Sequence, residues 1–165
     1  MKRVSSDGPP GGRGTLADFR CFDLYSASRA ITGVYRHVLE PLHLTYPQYL
    51  VLTVLWRRGS ATVGEIIDEV QLDYGTVSPL LKRLETRGLV ERRRRLDDER
   101  AVDITLTDDG QALQELAVGL SVVINEAFGL DRGDLDELER LLTTVRASAA
   151  GRSARMATRE TIGAV

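Results

Sequence analysis

The sequence predicts a mainly α fold with one small β-hairpin, a winged helix-turn-helix, on three observations. A short capped helix is followed after three residues by a longer capped one, Thr62 to Val70 and Asp73 to Arg87. Two β-prone runs follow at once, Leu89 to Arg93 and Ala101 to Leu106, with a polar, arginine-rich span between them. Elsewhere the apolar residues recur at helical spacing, and no third strand is evident.

Each element has its own signal. Residues 1–14, with Gly8-Pro9-Pro10-Gly11-Gly12, read as a flexible tail; no strand precedes them and no Gly-Lys-Ser/Thr follows, which excludes a phosphate-binding loop. Thr15-Leu16-Ala17-Asp18 has the form of a capping box, so a helix is expected from there to about Leu39, where Pro41 stops it. Cys21 would then lie about two turns inside, where the helix macrodipole helps little. Tyr46-Pro47 opens a second helix, since proline is tolerated in a first turn, and Gly59 closes it. Its run Tyr49, Leu50, Val51, Leu52, Val54, Leu55, Trp56 is apolar on nearly every side, as a central buried helix requires.

Thr62-Val63-Gly64-Glu65 is a second capping box, before a short helix to about Val70. After Gln71-Leu72-Asp73, Asp73 can cap the next helix, and Gly88 sits at its C-terminal end. Arg94 to Arg100 would form the tip of the hairpin, or wing. Thr107-Asp108-Asp109-Gly110 starts a long helix to about Phe128, and a last helix covers roughly Leu135 to Ala149. Residues 15–149 thus read as one domain, with a weakly patterned tail over 150–165.

Composition sets limits. With 165 residues, 42% of them hydrophobic, the chain can bury one good core. The longest largely apolar run, Tyr49 to Trp56, is far below the roughly 18 residues of a membrane span, and no secretory pattern opens the chain. One cysteine excludes an internal disulfide and points to the cytoplasm, with a reduced thiol at rest. His37 and His43, with that single cysteine, make a poor metal set, and no cofactor motif is present. A net charge of −2 conceals segregation: from Lys82 to Arg95 seven basic residues face two acidic ones, whereas from Ala101 to Leu142 ten acidic face two basic. That is the charge map of a nucleic-acid binder with one defined face.

The chemistry of the second helix of the pair fits the major groove. Thr76 and Ser78 on its first turns are suited to base edges or phosphates, while Lys82 and Arg83 reach the backbone. Leu80, Leu81 and Leu84 fall on the inward face. Arg94 and Arg95 of the wing can enter a narrow minor groove, and Asp98 would orient Arg100.

Asp73-Tyr74-Gly75-Thr76-Val77-Ser78-Pro79-Leu80-Leu81-Lys82-Arg83-Leu84-Glu85, Gly88-Leu89-Val90, Asp98-Glu99-Arg100 and Leu106-Thr107-Asp108-Asp109-Gly110 together resemble the MarR family of winged-helix regulators. The resemblance implies a homodimer formed by the first and last helices (15–45 and 107–149) around the DNA-binding module 46–106. It also implies repression through a pseudo-palindromic operator in double-stranded DNA, and adds Asp73 and Tyr74 to the DNA-contacting set. Half-sites would lie about one helical turn apart. Tyr74 departs from the pattern, because relatives carry a small residue there.

The first half, Cys21-Phe22-Asp23-Leu24-Tyr25-Ser26-Ala27-Ser28-Arg29, Tyr35 and Thr45-Tyr46-Pro47-Gln48-Tyr49-Leu50-Val51-Leu52, is similar to the organic hydroperoxide sensors of that family. This implies that Cys21 is the peroxide-reacting thiol, Tyr35 and Tyr46 its hydrogen-bond donors, and Tyr25 a further pocket residue. Helix geometry adds a constraint: Tyr35 is fourteen residues from Cys21, about 21 Å along a continuous helix. The two can meet only if Tyr35 comes from the partner subunit, with the first helices crossing antiparallel. Phe19 and Phe22 would form an apolar wall favouring organic peroxides. With no second cysteine, the sulfenic acid would pass to a mixed disulfide with a small cellular thiol, or to irreversible oxidation. The alternative keeps the DNA-binding module but gives it a non-covalent ligand in a cleft beside it. A peroxidase would need a resolving thiol or a base near Cys21, so an enzyme is not expected.

Overall fold

A computed structural model describes residues 16, 19–94 and 102–163. The order is α1 (Arg20–Leu39), a 3₁₀ turn (Glu40–Leu42), α2 (Tyr46–Arg58), β1 (Ser60–Thr62), α3 (Val63–Val70), α4 (Tyr74–Thr86), β2 (Val90–Arg94), β3 (Val102–Leu106), α5 (Asp108–Ala117), α6 (Leu120–Phe128) and α7 (Arg132–Gly163). The fold is therefore mainly helical, with a hairpin on the helix-turn-helix. The chain divides into two compact units, Met1–Ala127 and Phe128–Val165.

In the first unit α2 is the central helix, packing on α1, α3, α4, α5, β1 and β3. Val51, Leu52 and Leu55 are fully buried, together with Ile66 of α3, Val77, Leu81 and Leu84 of α4, and Ile104 of β3. At about 1.5–3 kcal/mol for each fully buried aliphatic side chain, this cluster is the main stabilising term of the unit. The caps follow the sequence closely. Thr62 and Glu65 form the reciprocal capping box, Asp73 accepts from the Thr76 N–H, and Thr107 accepts from the Gly110 N–H. Gly59 ends α2 at φ 77°, a conformation that favours glycine. Thr45 and Gln48 form a further capping box on α2, and Gln48 is buried through it.

Several expectations need correction. The first helix begins at Arg20, not near Thr15: Phe19, which precedes it, is extended (φ −103°, ψ 109°), and its N–H donates to the Leu16 carbonyl. Thr15, Ala17 and Asp18, the rest of the expected capping box, lie outside the described residues, as does the tail 1–14. Cys21 is consequently on the first turn of α1, not two turns inside it. The sheet has three strands in the order β1-β3-β2, all antiparallel. β1 was invisible as a pattern because three residues cannot show alternation; it forms because β3 offers a second edge. The helix expected to run from Thr107 to Phe128 is broken at Val118–Gly119, where glycine is the poorest non-proline helix former. The last helix runs from Arg132 to Gly163 rather than ending near Ala149. Its C-terminal half lacks an apolar stripe but is rich in alanine and arginine, which favour helix without amphipathicity.

Candidate functional site

The helix-turn-helix sets α4 with one face inward and one outward. Val77, Leu80, Leu81 and Leu84 are buried. Gly75, Pro79, Lys82 and Thr86, spaced four, three and four apart, centre the exposed face, with Thr76 and Arg83 on one flank. Ser78 is half-buried on the other flank, and Tyr74, the first residue of α4, is 66% exposed. Two smaller groups at the N-terminus are already engaged. The Asp73 carboxylate accepts the Thr76 hydroxyl at 2.7 Å and the Thr76 N–H at 3.0 Å, and these bonds hold its carboxyl below the usual range. The Thr76 hydroxyl proton is thus given to the cap, leaving its oxygen as an acceptor. A Cβ at position 75 would stand 3.0 Å from Asp73 Oδ1, so Gly75 keeps room for this cap.

Charge counting along the sequence overstated the free basic surface. Arg92 pairs with Glu85 at 3.2 Å, Arg93 with Glu91 at 2.5 Å, and Arg87 donates to the carbonyls of Leu42 and His43. Lys82 and Arg83 are exposed and unpaired among the described residues. The Arg94 backbone ends β2. Arg95, Asp98 and Arg100 of the wing lie outside the described residues.

The expected thiol site is divided between the two ends of α1. At its start Cys21 is exposed, flanked by Phe19, Phe22 and Tyr25, which are 36%, 37% and 57% exposed. The Tyr25 ring lies 6.5 Å from that of Phe22 and under the Arg29 guanidinium at 5.8 Å. At its far end Tyr35 packs against Tyr46, with ring centroids 4.3 Å apart and the planes tilted by 40°. Burial, then Tyr46, then Tyr49, push the Tyr35 hydroxyl up to about 12, and burial likewise raises Tyr46. Tyr35 thus adjoins Tyr46, while on the unbroken helix Arg20–Leu39 Cys21 lies about 21 Å and Tyr25 about 15 Å from Tyr35 in the same protomer. Two residues extend the tyrosine pair without having been singled out. Tyr49 lies 5.8 Å from Tyr35, and Trp56 stands edge-on to Tyr49 at 5.9 Å while its Nε1–H donates to the Gly110 carbonyl. Their spacing on α2, three and ten residues on from Tyr46, was the available signal.

Comparison with known proteins bears on both regions. The model of the MarR family matches residues 44–102, from just before α2 to the start of β3. The organic hydroperoxide resistance transcriptional regulator of Bacillus subtilis is 43% identical over 121 residues, 73% of this chain and 80% of that protein. The chain belongs to the MarR family. It is a DNA-binding transcriptional regulator with a winged helix-turn-helix, and the relatives it matches are regulators rather than enzymes. The HTH-type transcriptional regulator MgrA of Staphylococcus aureus is 41% identical over 79% of this chain and 89% of its own. Among solved structures, reduced AbfR bound to DNA superposes with a TM-score of 0.66 at 34% identity, covering 82% of this chain and 92% of that one. In MarR-family terms α3 and α4 are the helix-turn-helix, and β2 with β3 the base of the wing.

Proposed function

We propose that this MarR-family chain is a repressor that releases its operator when Cys21 is oxidised by an organic hydroperoxide. The observation that carries this reading is the placement of an exposed thiol and a half-buried tyrosine pair at opposite ends of one continuous helix. Antiparallel crossing of two such helices brings Cys21 of each protomer to Tyr35 and Tyr46 of the other, giving two equivalent sites. Exposed apolar side chains support association: Leu24 on α1, Val122 and Val123 on α6, and Leu141, Leu142 and Val145 on α7. Leu135, Leu138, Leu142 and Val145 recur on α7 at the three- and four-residue spacing of a helix–helix seam.

The chemistry uses the thiolate. Sγ attacks one peroxide oxygen, the O–O bond breaks, and the other oxygen leaves with a proton as the alcohol. Sulfur is oxidised by two electrons to the sulfenic acid, and the peroxide is reduced. A small thiol then condenses with it, forming a mixed disulfide and water. Tyr35 and Tyr46 donate hydrogen bonds to the sulfur and to the leaving oxygen, and Phe19, Phe22 and Tyr25 supply an apolar wall for the organic group. The adduct adds bulk between the dimerisation helices, which favours a dimer state in which the two α4 helices no longer match half-sites about 34–36 Å apart. In the DNA-bound state Asp73, Tyr74, Thr76 and Ser78 lie toward the bases, and Lys82, Arg83 and the wing residues Arg94, Arg95 and Arg100, with Asp98 orienting the last, toward the phosphates and minor groove.

The test is fluorescence anisotropy with a duplex enriched by the wild-type protein from a random pool. Wild type and Cys21→Ser are compared before and after stoichiometric tert-butyl hydroperoxide with free cysteine. Release by wild type alone, reversed by dithiothreitol, is the expected result; equal behaviour of the two proteins would refute the thiol switch. A small-molecule effector is less favoured, and it would act equally on both proteins.

A further inference from the structure

We infer that Arg87 is a positioning residue for DNA binding and not one of the phosphate contacts that its place in the basic run suggests. Its Nη1 donates to the His43 carbonyl at 2.6 Å and its Nη2 to the Leu42 carbonyl at 3.1 Å, across more than forty residues of sequence. A planar guanidinium can hold two carbonyls at once, which a lysine ammonium does less well. The carbonyls converge because His43 is left-handed, at φ 50°, where it caps the 3₁₀ turn between α1 and α2. Carbonyls at the end of a helical turn carry partial negative charge and favour a cation there.

Arg87 itself is the C-cap of α4, its N–H bonded to the Arg83 and Glu85 carbonyls. On the neighbouring residues, the Thr107 hydroxyl donates to the Gly88 carbonyl and the Thr107 N–H to the Leu89 carbonyl. The C-terminal end of α4 is therefore gripped by the α1–α2 turn and by the start of α5, while Thr76 and Lys82 stand on its exposed face. Tilting α4 about that end would move Thr76 and Lys82 without changing their charge. Loss of the grip should therefore affect sequence-specific binding, which needs register, and spare electrostatic binding, which does not. The inference rests on α4 reading DNA and is independent of the thiol chemistry.

The experiment uses reduced, full-length protein and two duplexes of equal length, one enriched by the wild type from a random pool and one scrambled. Affinities of wild type, Arg87→Gln, Arg87→Lys and Lys82→Gln are measured across a sodium chloride series, with thermal melts confirming that each variant is folded. Arg87→Gln should weaken the enriched duplex on the order of ten-fold, leave the scrambled one within two-fold, and keep the wild-type slope of log K against log salt. Arg87→Lys should restore little, and Lys82→Gln should lower the slope. A slope reduced by about 0.9 per lost phosphate contact in Arg87→Gln, full rescue by lysine, or unchanged affinity for the enriched duplex would each overturn the assignment. If Arg87→Gln does not fold, Arg87→Lys alone decides: selective loss on the enriched duplex supports a positioning role, and wild-type behaviour refutes it.

Discussion

Burial raises the Tyr35 hydroxyl to about 12, so it remains a hydrogen-bond donor throughout the neutral range. The same shift has a consequence for stability. An unfolded tyrosine ionises near 10, and a group whose folded value is higher contributes fully below the unfolded value and loses that contribution as pH rises through the folded one. The melting temperature should therefore fall between about pH 10 and pH 12 more steeply in wild type than in Tyr35→Phe, measured by circular dichroism. Tyr46→Phe should bind DNA normally but slow the loss of the Cys21 thiol under hydroperoxide by roughly five-fold, the worth of about one hydrogen bond. Stopped-flow thiol consumption checks this, and an unchanged rate would remove Tyr46 from the site. Cys21, Tyr35 and Tyr46 were marked as candidates in the sequence by the family resemblance. The engagement of Arg87, Arg92 and Arg93 was not legible there, because a count of charges carries no information on which carbonyl or carboxylate lies opposite each one.

Among the elements, the start of α5 is the most constrained. A Cβ at Gly110 would lie 2.0 Å from the Leu89 carbonyl oxygen, a backbone atom that cannot rotate away. The Gly110 carbonyl meanwhile accepts from Trp56 at 2.9 Å, tying α5 to α2. Gly110→Ala should cost about 3 kcal/mol, the upper end of the overpacking range. Thr107→Ala, which loses both the α5 cap and the bond to Gly88, should cost about 1–2 kcal/mol. Urea titration measures both, and a Gly110→Ala protein as stable as wild type would mean that the two segments can part freely. The caps at Thr62, Asp73 and Thr107 could be read in advance because each depends on residues within one turn. The late start of α1, the break at Val118–Gly119 and the length of α7 could not. Helix ends without a side-chain cap are set by packing and propensity, and each is a difference of small energies.

At the scale of the molecule, each of the two units carries exposed apolar residues that the proposed homodimer would cover, on α1 and α6 in the first and on α7 in the second. Leu142→Glu and Val145→Glu should each weaken the dimer and, with it, binding to a two-half-site duplex, while a single half-site is bound as weakly as before. Sedimentation equilibrium and anisotropy report the two quantities, and a variant that stays dimeric with intact binding would place the interface elsewhere. The local code by itself determined the winged helix-turn-helix, its family and the residue types of the candidate site. Periodicity, caps and turn residues act over a few positions and survive without tertiary context. Tertiary structure alone decided that β1 exists, which arginines are occupied, and that Tyr35 joins Tyr46, Tyr49 and Trp56. Those outcomes depend on which groups from distant parts of the chain come within hydrogen-bond or packing distance, and short-range pattern does not encode that distance.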